Sequence, residues 1–231
     1  MGTCWHVIAT QFRFCEQAEA QGADLLLFPE CFLQGYLVTE AHLRRHALDL
    51  GSARFRSVAA RLADARPVLV VGMIERAGSR LYNSAVVLEH GQVTGVYRKT
   101  HLTRGEALFS PGTEYPVFAV RGLRYGVNIC YDTQFAEAAA RVAGERARLL
   151  LVPAQNMMRR RAAEEWKHRH NQIRAQRVRE TGMWLVSADV TGKRGGTHVG
   201  LGPTSVMNPS ADVVAQVPLM TTGMVVAQVP V

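Results

Sequence analysis

The stretch "YGVNICYDTQF", from Tyr125 to Phe135, decides how this chain is read. Tyr125 to Ile129 has the apolar character of a strand, a polar Tyr-Asp pair follows, and the helical run "TQFAEAAARVAG" begins at Thr133. Cys130 therefore falls where a strand gives way to a helix, a place where α/β proteins present reactive groups. The same residue has a plainer reading, because free cysteine is among the most buried residue types and packs as a small apolar side chain. Position alone does not decide between the two.

Working outward, the chain of 231 residues is long enough for one well-cored domain, and no Pro/Gly/Ser-rich linker divides it. Its 48% hydrophobic and 20% charged content is that of a globular protein, with no apolar run long enough to cross a bilayer. The start "MGTCWHVIATQF" lacks the features of a secretory signal, so a cytoplasmic location is expected. Cys4, Cys15, Cys31 and Cys130 form no C-x-x-C pair and no regular framework, which argues for reduced thiols over a disulfide scaffold or zinc site. His168 and His170, two apart in an expected helix, point to different faces, so no metal is expected.

A net charge of +8 invites a nucleic-acid reading, and "RRRAAEEWKHRHNQIRAQRVRE", Arg159 to Glu180, is the densest basic stretch. Glu164, Glu165 and Glu180 interrupt it, and no aromatic stacking platform accompanies the scattered arginines, so a solvated helix face is expected instead. No nucleic-acid or membrane partner is expected.

Short Val- and Leu-rich runs bounded by Gly, Pro, Asn or Asp read as strands: "HVIATQF", "GADLLLF", "PVLVVGMI", "NSAVVLE", "PVFAV", "YGVNIC", "ARLLLVP", "MWLVSADV", "GPTSVMN", "DVVAQVP" and "GMVVAQV". Helices are expected over Glu40 to Ala65, broken near Gly51-Ser52, over Gln134 to Ala143 and over Arg160 to Thr181. The class is mixed α/β, with hairpins as well as crossovers.

Two further strand ends and one loop carry reactive groups. "GADLLLF" runs into "PECFLQGY", where Pro29 cannot donate to a ladder, so the strand stops and Glu30 leaves it at the carboxyl edge, where open sheets hold ligands. A glutamate there also suits a turn cap. "GQVTGVYRKTHL" ends a strand at Arg98 and Lys99; lysine occurs only at positions 99, 167 and 193, and a compact ammonium suits a developing oxyanion better than a planar guanidinium. "GEALFSPG" places Glu106 before the Pro111-Gly112 turn. Together Glu30, Lys99, Glu106 and Cys130 supply a thiol, a cation and two carboxylates, the parts for nucleophilic acyl transfer without histidine.

With these motifs assembled, the chain resembles the nitrilase superfamily of carbon-nitrogen hydrolases along nearly its whole length. The resemblance rests on "GADLLLFPE" with Gly35-Tyr36, "YRKTHL", "GEALFSPG", "NICYDTQFAE", "LLLVPA", "RETGMWLVSADVTG" and "GPTSVMNPSADVV", in the family's order. It implies a four-layer α-β-β-α sandwich that pairs into homodimers or larger homo-oligomers. It implies Glu30 as general base, Lys99 as oxyanion-stabilising lysine, Cys130 as nucleophile and Glu106 as support for the lysine or the substrate amide. The Tyr131 N–H falls where the family completes its oxyanion hole. No cofactor is implied.

Tyr-Asp after the cysteine resembles the amidase and carbamoylase branches, whereas nitrilases carry Trp-Glu. The expected substrate is a small linear amide or N-carbamoyl compound, cleaved through a thioester with release of ammonia or an amine; a nitrile hydrolase and a catalytically silent interaction module on the same fold are the alternatives. Tyr36, Gln155, Asn156 and Met157 are candidate pocket residues, the last equally well placed for core packing. Two departures stand out. Only "RFCEQAEAQ" separates "HVIATQF" from "GADLLLF", shorter than the family's helix by roughly ten residues, about three turns. Ala136 replaces a proline usual in the family.

Overall fold

Residues 13–230 are described by a computed structural model. The expected strand "HVIATQF" (6–12) lies outside them. A helix over 13–20, α1, leads to strand β1 (Leu25–Leu27), the centre of the "GADLLLF" run. Helices α2 (Glu40–His46) and α3 (Ala53–Ala60) follow, each started by a side-chain cap, Thr39 and Ser52 accepting from the backbone N–H three residues on. The expected break near Gly51-Ser52 is wider than the sequence suggests. Leu48 is drawn to the sheet, where its N–H donates to the Ile74 carbonyl and its own carbonyl accepts from Arg76.

Strands β2 (Val68–Ala77), β3 (Arg80–Glu89) and β4 (Gln92–Arg98) complete a sheet that has, among the described residues, the order β1-β2-β3-β4. β2 is buried from Val68 to Glu75, matching its nearly unbroken apolar sequence, as in a central strand covered on both faces. β3 and β4 are joined across the Glu89–Gln92 pair by His90 and Gly91, both with positive φ (47° and 73°), the twist-matched two-residue turn of a hairpin. β4 runs the same way as β1, so the carboxyl ends of both and the first residues of β3 meet along one edge of the sheet.

The chain divides at Glu114 and Tyr115 into two units. In the second, β5 (Val117–Val120) and β6 (Leu123–Val127) form a hairpin; then come a 3₁₀ turn (Cys130–Gln134), α4 (Ala136–Gly144), β7 (Leu149–Pro153), β8 (Met157–Arg159), α5 (Arg160–Trp166) and α6 (Arg169–Thr181). β9 (Trp184–Ala188), β10 (Thr191–Arg194), β11 (His198–Leu201), β12 (Ser205–Met207) and β13 (Val213–Gln216) complete it. Its larger sheet has the order β13-β12-β9-β7-β6-β5, and β10-β11-β8 forms a smaller one. β6, β7 and β9 are parallel neighbours, so the chain leaves all three at the same edge. Ala139, Val142, Leu150, Val152, Val178 and Leu185 form a core between α4, α6 and the larger sheet.

Three expectations are corrected here. The strand ending at Cys130 stops at Val127: the Asn128 N–H still reaches the Leu151 carbonyl at 3.0 Å, but the Ile129 N–H is taken by the Asp132 carboxylate at 2.8 Å. The helix expected over Arg160 to Thr181 is two helices, because its halves pack on different sheets. Ala163 of α5 joins Val199 and Leu201 of the smaller sheet, whereas Ala175 and Val178 of α6 join the larger. "GMVVAQV" (223–229) forms no strand; Val226 is exposed and the segment pairs with no sheet edge among the described residues.

Candidate functional site

Glu30 follows β1 on a loop fastened to β2. Phe28 N–H donates to the Val70 carbonyl, Leu33 N–H to the Gly72 carbonyl, and the Gln34 side chain pairs with both the N–H and the carbonyl of Ile74, at 2.9 and 3.0 Å. The loop lies so close to β2 that a Cβ at Gly72 would sit 2.1 Å from the Pro29 carbonyl oxygen, so only glycine fits there. Gln34 is not singled out by the sequence; its place in the motif gives no sign that it imitates a strand partner.

The ammonium of Lys99 is gripped by both expected carboxylates. It lies 2.8 Å from Glu30 Oε1 and 2.9 Å from each oxygen of Glu106. Asn83, at the start of β3 and unforeseen, donates its amide to Glu30 Oε1 at 2.7 Å and Glu106 Oε1 at 2.9 Å. All four residues are at most 2% exposed. Lys99 is thus buried, unlike most lysines at strand ends. The Thr103 N–H donates to Glu106 Oε2 at 2.9 Å, whereas Glu30 Oε2 is buried without a hydrogen-bond partner among the described residues.

This asymmetry pushes the two carboxyl groups apart. Burial raises Glu30 above its ordinary 4.5, opposed by Lys99 but helped by the neighbouring charge of Glu106. Burial also works to raise Glu106, yet Lys99, the Thr103 N–H and Asn83 outweigh it, and Glu106 is held below 4.5. Two acids on one cation with opposite shifts are suited to different tasks, Glu106 as a standing counter-ion and Glu30 as a group that takes up and returns a proton. Tyr36 shares this field. Burial, then Glu30 and Glu106, raise its hydroxyl far above 10, so the phenol stays a donor.

The shift of Glu30 makes Glu30→Gln an informative variant. Glutamine preserves the shape but removes a buried negative charge that its surroundings disfavour. The stabilisation that protonated Glu30 gives the fold is fully present below the unfolded value of 4.5 and is lost as pH rises through the raised value. At pH 8 the variant is expected to melt higher than the parent, by about 2–4 °C for each kcal/mol gained. The difference closes as pH falls toward 4.5. A variant melting lower at pH 8 in differential scanning calorimetry contradicts this account.

In the second unit, Cys130 opens the 3₁₀ turn with φ +47°, a left-handed conformation rare for a side-chain-bearing residue and of the kind held at functional sites. Asp132 fixes the turn by accepting from Ile129, and the Thr133 hydroxyl donates to the Cys130 carbonyl at 2.7 Å. Cys130 and Tyr131 hold the first two positions of the turn. Tyr131 is 37% exposed, and its ring meets Phe135 edge-on.

Cys130 is partly accessible, whereas Cys15 and Cys31 are buried. Burial, then Glu19 and Glu16, push the Cys15 thiol up to about 11, and Cys31 donates its S–H to Asn83 Oδ1 at 3.4 Å. Cys4 lies outside the described residues. Beyond β7, Gln155 is half-buried, and Asn156 is buried with its Oδ1 3.7 Å from the Cys130 sulfur. Met157 is half-buried at the start of β8. Asn156 is held by Asp189, which follows β9, and Asp189 by Arg174 of α6. Arg174 and Arg177 belong to the basic stretch read as a solvated face; both are buried, at 2% and 4% exposure, and that expectation is corrected for them. Among the described residues no group of His, Cys, Asp and Glu is arranged to hold a metal.

Comparison with known proteins matches residues 3–231 to the family described as carbon-nitrogen hydrolase. A glutamine-dependent NAD(+) synthetase of Xanthomonas campestris pv. campestris is 35% identical over 181 residues, covering 74% of this chain and 31% of that protein. The chain thus spans about a third of that relative's length. A nitrilase of Pyrococcus abyssi is 31% identical over 207 residues, 88% of this chain and 75% of that one. Among solved structures, a cysteine-to-alanine mutant of the Nesterenkonia AN1 amidase of the nitrilase superfamily superposes with a TM-score of 0.79 at 24% identity, covering 94% of this chain and 82% of that one. The expected fold class, α/β of the nitrilase type, is the one this structure shares.

Proposed function

Since the chain belongs to the carbon-nitrogen hydrolase family, we propose that it hydrolyses a small linear amide or N-carbamoyl compound with Cys130 as nucleophile. The observation that carries this reading is the buried ammonium shared between two carboxylates of opposite tendency, one of which has an oxygen with no hydrogen-bond partner among the described residues. A thiol near pKa 8.5 is mostly protonated at neutral pH and needs a base to attack at speed. In this reading Glu30 Oε2 takes the thiol proton as the sulfur bonds to the carbonyl carbon. Lys99 and the Tyr131 N–H receive the oxyanion; one such donor is worth about 3 kcal/mol.

Collapse breaks the C–N bond, Glu30 returns its proton to the leaving nitrogen, and ammonia or an amine departs from a thioester. Water then gives one proton to Glu30 and its oxygen to the acyl carbon; the C–S bond breaks, Glu30 hands that proton to the departing sulfur, and the carboxylic acid, or carbamic acid from a carbamoyl substrate, leaves with the thiol restored. Glu106 stays ionised throughout and keeps Lys99 charged. The Tyr-Asp pair after Cys130 and a relative named for glutamine dependence favour an amide over a nitrile.

The test is a screen of primary amides of two to six carbons, glutamine, N-carbamoyl amines and matching nitriles for released ammonia or amine. Hydroxylamine is added to trap the thioester as a hydroxamate. Turnover of amides or carbamoyl compounds with trapping is expected. Turnover of nitriles alone would overturn the substrate assignment, and no turnover with Cys130 inert to iodoacetamide would make the chain a silent scaffold.

A further inference from the structure

The residues behind Cys130 form a chain whose polarity is fixed. Asp189 accepts from the Asn156 and Val190 N–H groups on Oδ1, at 3.0 and 2.9 Å, and from Asn156 Nδ2 and Arg174 Nη2 on Oδ2, at 2.5 and 3.3 Å. Arg174 is held by the Pro203 carbonyl at 2.8 Å and the Ser187 hydroxyl at 3.1 Å. Both Asp189 oxygens are therefore committed as acceptors. Turning the Asn156 amide over would set two acceptors 2.5 Å apart, in place of the bond made there now. The amide nitrogen must face Asp189. Its oxygen, buried with the rest of the side chain, must face the sulfur 3.7 Å away.

A fixed acceptor beside a nucleophile has a consequence for substrate choice. In the resting state the thiol hydrogen satisfies Asn156 Oδ1. Once that proton leaves, the oxygen needs another donor or is left unpaired at a cost. Attack brings the carbonyl carbon within about 3–3.5 Å of the sulfur, so a group attached to that carbon comes within reach of Oδ1. From this we infer that Asn156 Oδ1 accepts an N–H of the scissile amide or carbamoyl nitrogen. It is then a specificity residue that selects N–H-bearing substrates over esters of the same acyl group, with Asp189 and Arg174 as positioning residues acting through it.

The inference rests on the amidohydrolase reading above. It differs from general structural support, because support would affect an ester and an amide alike. A site built to bond a substrate N–H discriminates strongly against an analogue lacking it. The backbone N–H of Asn156 bonds Asp189 independently of the side chain, so Asn156→Leu retains that anchor.

The experiment measures kcat/KM for the best primary amide of the screen and for its methyl ester, in the parent and in Asn156→Leu and Asn156→Ala, with melting temperatures recorded for each. Loss of about 100-fold or more on the amide is expected, with less than about tenfold on the ester, so that the amide-to-ester ratio collapses. Equal losses on both, or a ratio unchanged in a folded variant, overturn the inference while leaving the amidase reading in place. A parent that hydrolyses no amide overturns both.

Discussion

Cys130→Ala is expected to abolish turnover, by about 10⁴-fold or more, and Cys130→Ser to do nearly as badly, while both proteins stay folded. In concerted nucleophile–base machinery, loss of the nucleophile alone costs nearly as much as loss of the whole set. Serine does not rescue because its hydroxyl is far harder to deprotonate than a thiol, and Glu30, though raised, remains a weak base. The backbone supplies a second readout. At φ +47° any side chain with a Cβ is strained by roughly 1–2 kcal/mol. Cys130→Gly should therefore melt above Cys130→Ala by roughly 2–4 °C per kcal/mol while being equally inactive. Retained turnover in Cys130→Ala would remove the nucleophile from the proposal. Equal melting of the glycine and alanine variants would show that the turn stores no strain.

How far the chain is legible depends on whether a residue's task is written in its neighbours. Pro29 forces a strand to stop, so the residues flanking Glu30 are enough to place it at a sheet edge. Lys99 is marked by its rarity in an arginine-rich chain, and Cys130 by the switch from strand to helix. Asn83 carries no such mark. It lies opposite Lys99, whose N–H bonds the Asn83 carbonyl, and that register exists only once β3 and β4 pair. Gln34 and Arg174 are hidden for the same reason, since their partners are 40 and 15 residues away.

Asp189 is legible in principle. It follows the apolar run "MWLVSA" as Glu30 follows "LLLFP", and the same rule applies to it. Arg174 is hidden by its company. A stretch rich in exposed arginines reads as one solvated face, although Ala175 and Val178, three apart, mark the side that packs on the sheet and carries Arg174 inward. The split of that stretch into α5 and α6 is beyond local periodicity because it reflects two sheets.

Lys99→Met is expected to have the largest effect on stability, and it tests the electrostatic logic of the first unit. Methionine fills the volume of the lysine stem but leaves Glu30 and Glu106 facing each other, buried, with no cation between them. Removing one partner of a buried pair costs about 3–5 kcal/mol because the charge left behind is uncompensated. The melting temperature should fall by about 6–20 °C. Lys99 also receives the oxyanion in the proposed reaction, so turnover should vanish even where the variant is folded. The pH dependence separates this account from a packing defect. Glu106, held below 4.5 by Lys99, contributes stability that is present above that value and lost as pH falls through its depressed one. Without the lysine that contribution is absent, and both carboxyl groups become easier to protonate. The gap in stability between parent and variant should therefore be widest at neutral pH and shrink as acid neutralises the pair. Thermal melts at pH 7.5 and 4.5 read it directly, and a gap of equal size at both would mean that the loss is one of packing and not of charge. Lys99→Arg should not restore turnover, because a planar guanidinium does not reproduce a compact ammonium gripped between two carboxylates and an incoming oxygen.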